Sequence, residues 1–395
     1  MKILIVGFSN SVHTARWINQ IAGQDWEIKL FPSYDAGAVS NELKGVEIHH
    51  SFYATAYNVN KKVRVVGIPI KNRFVAYFLR CGKKLIFRNY RERQLEKLIC
   101  SFKPDIIHSM EFQSGGYLVN RVKKDFKGDF PTWIATNWGS DIYYFGRFEK
   151  HKVKIKKVLE NCDFYSCECK RDVCLAEKYG LKHDKALPVF PNAGGFDLKK
   201  LGPIRNKVRT SERRIIMLKG YQNWSGRALI ALKALEKCAP YLRGYTLVVY
   251  SIQPRSGIAG AVNAFTKKTG IKTKIIPLGS SHDEMLKMHS LARISISISI
   301  SDAISTSLLE AMVMGSFPIQ SNTACADEWI VNNKSGAIIP CENFRTIAES
   351  IKKALIDNDL VDSAAEINWQ TAKDRLSEDV IKEKIDLFYK KALKN

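Results

Sequence analysis

The sequence predicts an α/β protein built as two doubly wound domains, each a parallel sheet flanked by helices. Three observations predict it. The chain opens with an apolar run, a loop, an amphipathic helix and a second apolar run; the same alternation restarts beyond residue 212; and 395 residues suffice for about two domains, each with its own core.

Lys2 to Val6 is apolar and stops at Gly7, after which Ala15, Trp17, Ile18 and Ile21 recur at helical spacing and Trp26 to Phe31 alternates as the next strand. Such a βαβ unit implies a parallel sheet. Asp105 to His108, Thr132 to Thr136 and Phe164 to Cys167 are further β-prone runs, so residues 1–195 form the first domain. Residues 196–212 hold Gly202, Pro203 and a dense set of basic residues with little periodicity, the composition of a linker. The alternation then resumes over 213–375. Ile215 to Leu218, Tyr245 to Tyr250, Lys274 to Leu278 and Ile294 to Ser301 read as strands, and Arg227 to Cys238 and Asp283 to Leu291 as helices. In the last run Ile and Ser alternate strictly, so the Ile face one way and the small Ser leave room for close packing on the other. Residues 376–395 read as a C-terminal helix expected to pack back on the first domain. Open parallel sheets bind ligands at the carboxyl ends of their strands, and with two such domains the cleft between them is the expected site.

Several function classes lose their usual signatures. The apolar run Ile3 to Val6 is too short for a signal-peptide core, and no later stretch approaches the roughly 18 apolar residues of a membrane span. Nine cysteines, an odd number without an export signal, are expected as reduced thiols in the cytosol. Cys162, Cys167, Cys169 and Cys174 lack the paired short knuckles of a structural zinc site and read as buried thiols, so no metal is expected. The sequence has no Walker loop, no Gly-x-Gly-x-x-Gly and no His-Glu-x-x-His, which removes the usual basis for ATP hydrolysis, dinucleotide redox chemistry or a metallohydrolase.

The 62 Lys and Arg against 39 Asp and Glu leave a formal charge of +23, which calls for an acidic partner. Residues 61–100 carry twelve cations against Glu92 and Glu96, interleaved with Val75, Tyr77, Phe78, Leu79, Leu85, Ile86 and Phe87. That mixture suits an anionic membrane surface better than a phosphate backbone. With no helix-turn-helix, zinc-finger or RNA-recognition motif, nucleic acid is not the expected partner, and a basic nucleic-acid-binding protein ranks last among the alternatives.

The strongest chemical constellation lies between Ser301 and Ile319. Asp302 ends a strand, Ser305, Thr306 and Ser307 follow in a loop, and Glu310 sits about one turn inside the next helix. The amides at such a helix start, with the helix dipole, favour a phosphate, and the two carboxylates could hold vicinal hydroxyls. The pattern Asp302-x7-Glu310-Ala311-Met312-x2-Gly315-x2-Pro318 resembles the acid-x7-Glu signature of retaining glycosyltransferases of the GT-B fold, specifically glycosyltransferase family 4. Other segments resemble that family in order: Ser11 to Trp17, Pro104 to His108, Trp138 to Ile142, and Phe190 to Asp197 with one extra Gly.

The resemblance implies two Rossmann-like domains, a nucleotide diphosphate sugar as co-substrate (a UDP-sugar being expected) and no cofactor. It implies that Asp302 approaches the donor sugar, although the family usually has Glu there, and that Glu310 binds the ribose. The backbone from Ser305 to Leu308 is expected to cradle phosphate and sugar, with the base against Pro277 to Ser280, including Gly279. The family uses an Arg and Lys pair to stabilise the leaving phosphate, at positions occupied here by Tyr221 and Ser225. Lys219 and Arg227, flanking the loop that opens with Gly220, are expected to supply that charge. In the first domain Asn10, His13 and His108 are expected on the acceptor side, and Asp141 as an acid near the acceptor hydroxyl. The expected activity is transfer of a sugar to a glycan or lipid-linked acceptor in cell-surface polysaccharide or lipopolysaccharide synthesis, at the inner face of the membrane. A sugar-nucleotide epimerase or hydrolase on the same fold is the alternative.

Overall fold

A computed structural model describes residues 1–35, 37–55, 62–87, 89–205 and 207–393, apart from the side chains of residues 73, 84 and 85. Two compact units result, Met1–Gly194 with Ile381–Asn395, and Gly195–Val380.

The first unit contains β1 (Lys2–Gly7), α1 (Val12–Ile21), β2 (Glu27–Pro32), β3 (Glu47–Ala54), β4 (Arg64–Ile70), α2 (Arg73–Ile86), α3 (Tyr90–Phe102), β5 (Ile106–Met110), α4 (Tyr117–Asp125), β6 (Thr132–Thr136), α5 (Glu149–Asn161), β7 (Phe164–Ser166) and α6 (Lys170–Lys178). Its seven strands lie in the order β4-β3-β2-β1-β5-β6-β7, each pair parallel. The central strand β1 is apolar without interruption because helices cover both faces. Ile3 and Ile5 join a cluster with α1 and the C-terminal residues, whereas Leu4 and Val6 join the one beneath α3, α4 and α5. That split is the two-residue period of a strand.

In the second unit α7 (Leu198–Arg205), β8 (Ile215–Lys219), α8 (Ala228–Lys237), β9 (Thr246–Tyr250), α9 (Ile258–Thr269), β10 (Lys272–Ile275), α10 (His282–Leu291), β11 (Ala292–Ser297), α11 (Thr306–Met314), β12 (Phe317–Ser321), β13 (Ala337–Ile339), α12 (Phe344–Ile356) and α13 (Asn358–Arg375) follow. The sheet order is β10-β9-β8-β11-β12-β13, again parallel throughout. Ile294, Ile296 and Ile298 all enter the core shared with α8, α9 and α12. On the other face Ser295 Oγ lies 2.7 Å from Ser316 Oγ and 2.9 Å from His289 Nδ1.

Residues 196–212 are not the irregular linker their composition suggests, since they carry α7 and a 3-10 turn and group with the second unit. Their polar residues bond carbonyls instead of solvating a tether. Arg205 Nη2 donates to Ala365 O at 2.8 Å and Thr210 Oγ1 to Gly315 O at 2.7 Å, while Arg213, just beyond, donates to Met314 O at 3.0 Å. Two of these acceptors belong to the C-terminal end of α11, where carbonyls lack helical partners.

The last helix, α14 (Glu378–Leu393), places Ile381, Ile385, Phe388, Tyr389 and Ala392 in the first unit's core. His108 is wholly buried there, which overturns its expected acceptor-binding role. Its Nδ1 is 2.7 Å from Tyr389 Oη and its Nε2 2.5 Å from Thr136 Oγ1. Trp17 Nε1 donates to Tyr389 Oη at 2.8 Å, so the tyrosine proton goes to His108 Nδ1 and the histidine donates through Nε2. Burial lowers the His108 pKa to about 3, keeping the ring neutral.

Two outcomes follow. Tyr389→Phe strands two buried polar groups and should cost about 2–4 kcal/mol in urea unfolding; a change near zero contradicts the chain of bonds. Unfolded His108 titrates at an ordinary value near 6.5 and the folded residue at about 3, so the unfolded state binds the extra proton between them. Its contribution is full above the unfolded value and is lost as pH falls, by about 2 kcal/mol between pH 7 and pH 5. His108→Asn should remove that part of the slope, and an unchanged slope counts against it.

Candidate functional site

At the carboxyl end of β8 the chain runs through Lys219 into the loop 220–227. Gly220 N donates to Tyr250 O at 2.7 Å, and a Cβ on Gly220 would come within 2.8 Å of Ile252 Cγ1. Asn223 Oδ1 accepts from Ser225 N at 2.9 Å and Gly226 N at 2.8 Å, fixing the turn. The loop is then sewn to the segment after β11: Arg227 N donates to Ile298 O at 3.0 Å and Ile300 N to Ser225 O at 2.8 Å.

That segment leads to the start of α11. Asp302, half-buried, accepts from Ala303 N at 2.9 Å through its own carboxylate, and its backbone N–H reaches Thr323 O at 3.4 Å. Ser305 is the N-cap residue, yet its side chain does not cap the helix. Its Oγ instead lies 2.8 Å from Ser307 Oγ and accepts from Lys219 Nζ at 3.5 Å. A cation, two hydroxyls and the positive end of a helix dipole therefore meet at the helix start, a natural anion site. Leu308 lies buried in that first turn and Thr306 is half-buried beside it. Arg227 is engaged differently: Nη1 donates to Gly226 O at 2.9 Å, and Nε is 3.6 Å from Glu342 Oε1.

Glu310 is buried one turn further in. Its Oε1 lies 3.0 Å from His282 Nε2 and its Oε2 3.6 Å from His289 Nε2. Burial alone would raise its pKa, but the two histidines outweigh burial and hold the carboxyl well below the usual range. Neither histidine was singled out from the sequence. The signal was their spacing of seven, two helical turns on one face, behind a capping box in which Ser281 Oγ accepts from Glu284 N at 3.2 Å. Gly279 is exposed with φ +94°, a turn conformation that favours glycine.

In the first unit Asn10 is exposed after β1, and His13 in the first turn of α1 sets its ring against Trp138 with centroids 5.6 Å apart. Asp141 is buried, its Oδ2 accepting from Phe112 N and Trp138 N, both at 2.8 Å, so its carboxyl pins the loop after β6. Burial, then the neighbouring Glu111, push the Asp141 pKa well up. Glu111, not singled out from the sequence, is itself buried at φ +75° and accepts from Ser114 N at 2.7 Å; burial raises it to about 7. Ser9, His50 and Asp35 align as hydroxyl, imidazole and carboxylate at 3.3 and 3.1 Å. Ser9 is buried and donates to Ala38 O at 2.7 Å, so its proton is already committed. Cys162, Cys167 and Cys169 are buried, and burial raises the first two thiols. Cys174 is exposed.

Two family descriptions match the chain: Glycosyl transferase 4-like over residues 2–167, and Glycosyl transferases group 1 over residues 259–371. No curated protein sequence matches at a significant level. Among solved structures the chain is similar to a glycosyltransferase from Rickettsia africae (18% identity, 100% of this chain and 99% of that one, TM-score 0.67). It is also similar to Anabaena HepE in complex with UDP-glucose (12% identity, 99% and 100%, TM-score 0.69). The lipopolysaccharide outer core galactosyltransferase WaaB is a third (14% identity, 99% and 99%, TM-score 0.66). At these identities the likeness establishes the GT-B fold.

A Cβ on Gly226 would sit 2.3 Å from Tyr221 O, so Gly226→Ala should destabilise the second unit by about 1–3 kcal/mol. Gly260→Ala, with nothing within 4 Å of its Cβ inside α9, should be neutral or stabilising. Equal urea midpoints for the two variants would contradict the packed loop.

Proposed function

We propose that this chain, which belongs to the glycosyltransferases of group 1, moves a sugar from a nucleotide diphosphate sugar, a UDP-sugar, to a hydroxyl of a glycan or lipid-linked glycan. The observation that carries the reading is the meeting of Lys219 with Ser305 and Ser307 at the start of α11, with an ionised Glu310 one turn inside.

A diphosphate at that helix start would be held by amides and by Lys219, with Arg227 as the second cation framing the loop. The ribose hydroxyls would take Glu310, and the sugar would lie toward Asp302. As the bond from the sugar's anomeric carbon to the β-phosphate oxygen breaks, negative charge grows on the leaving diphosphate and Lys219 stabilises it. The acceptor oxygen bonds to the same carbon from the same face, and its proton passes to the departing phosphate, so configuration is retained. His13 and Asn10 of the first unit would line the acceptor side, with the Asp141 carboxyl, pinned beside Trp138, shaping that loop. The phosphate charge is met by side chains and amides, and turnover should not need a metal ion.

The UDP-bound and UDP-glucose-bound HepE structures support the donor class, and WaaB, a lipopolysaccharide outer core galactosyltransferase, supports sugar transfer as the reaction. The basic first unit supports an acceptor at an anionic membrane, in polysaccharide or lipopolysaccharide synthesis on the cytoplasmic side. No described helix is long and apolar enough to cross a membrane, so that placement would be peripheral.

Transfer should be followed with UDP-sugars and a bacterial lipid extract, reading the product's anomeric configuration by NMR. Lys219→Ala should lower turnover about a hundredfold and Arg227→Ala by a comparable factor, with unfolding midpoints little changed. Unchanged turnover in Lys219→Ala would sink the assignment. Rapid turnover without acceptor would favour an epimerase or hydrolase, and loss of activity in a chelator would overturn metal independence.

A further inference from the structure

Helix α2 is amphipathic the wrong way round for a helix that only covers a core. A surface helix normally turns its apolar stripe inward. Here Ala76 is the buried residue, and on its side of the helix Arg80 Nη1 donates to Phe52 O at 3.2 Å. Lys83 Nζ, one turn on, lies 5.2 Å from the Phe52 ring and 5.3 Å from that of Tyr90. Phe74 and Phe78 lie opposite Ala76, with Val75, Tyr77, Leu79 and Ile86 on the flanks and Phe87 at the C-cap, all exposed, Phe78 to 69% and Ile86 to 74%. The helix is nonetheless well formed, with Asn72 Oδ1 accepting from Phe74 N at 2.8 Å as its cap. Ile68, on the edge strand β4 that leads into it, is 54% exposed.

We propose that α2 is a docking helix that lies in the plane of an anionic lipid bilayer with this apolar face immersed. The inference deepens the peripheral placement proposed above and rests on that part of the reading. Charge selects the occupant. From residue 48 to residue 91 the chain has no Asp or Glu and ten Lys or Arg. Among these, Lys61 and Arg88 lie outside the described residues, as do the side chains of Arg73 and Lys84. Lys71, at the mouth of the helix, is exposed.

A second copy seated on this face by two-fold symmetry would bring two acid-free, cationic surfaces together. A neutral apolar partner would leave the cations unanswered. An anionic bilayer meets both demands, taking the aromatic and aliphatic side chains below the headgroups and exposed cations such as Lys71 among them.

The test is co-sedimentation with vesicles of phosphatidylcholine alone or mixed with phosphatidylglycerol. The wild-type chain should bind the anionic vesicles at least tenfold more tightly than the neutral ones, and high salt should release it. Phe74→Ser with Phe78→Ser should lose tenfold or more of that binding; both side chains are exposed, so the thermal melt should not move. If that variant misfolds, Lys71→Glu reports instead, by weaker binding to the anionic vesicles alone. No binding by the wild-type chain, equal binding to both vesicle types, or a dimer in solution that the double substitution dissociates would each overturn the proposal. The assay needs no nucleotide sugar, and UDP binding should be the same in the double variant and the wild type. A failed transferase reading would therefore show in UDP binding and a failed docking helix in sedimentation.

Discussion

A carboxylate buried inside a helix must be given partners, and in the second unit that requirement organises the candidate site. Glu310 is buried in α11 and kept ionised by His282 and His289 from α10. His289 reaches it from a ring whose other nitrogen is 2.9 Å from Ser295 Oγ on β11, and Ser295 in turn meets Ser316. The charge is thus tied to two helices and a strand, and small Ser on one face of β11 is what leaves space for the imidazole. The same helix starts beside Lys219, with Ser305 diverted from capping to the hydroxyl and ammonium groups around it. Anion-seeking groups at the helix start and an anion inside it are the opposite polarities that a phosphate and a sugar diol would require.

Much of this was legible in the residues. The uninterrupted apolar run of β1 and the strict Ile-Ser alternation before Asp302 depend on strand period alone, and period survives any tertiary context. The acid-x7-Glu pattern, taken from the family resemblance, placed Glu310 inside α11, whereas β11 stops at Ser297 and leaves Asp302 in the segment after the strand instead of at its end. What period cannot show is where a polar side chain finds its partner. His108 stands in a strand like any candidate ligand, yet Tyr389, 281 residues later, encloses it. Arg205 and Thr210 look like tether composition but bond carbonyls of α13 and of the α11 terminus. His282 and His289 read as surface helix residues until α11 is packed against them.

The first unit shows the same logic from outside. Its sheet is closed at the core by Trp17, Tyr389, His108 and Thr136, a fully partnered polar chain in an apolar setting. At its edge strand β4 the helix α2 turns cations toward the unit and rings toward solvent. The sequence showed the mixture of basic and apolar residues between 61 and 100; only the packed helix shows which of the two faces outward. Burial of polar groups where partners exist and exposure of apolar ones where none do are the two departures from simple amphipathic packing.

The most direct measurement is a crystal structure of the chain with UDP. The diphosphate should lie at the first amides of α11 within reach of Lys219 Nζ, and the ribose hydroxyls against the Glu310 carboxylate. A diphosphate bound elsewhere, or a ribose that leaves Glu310 to its two histidines alone, would contradict the assignment.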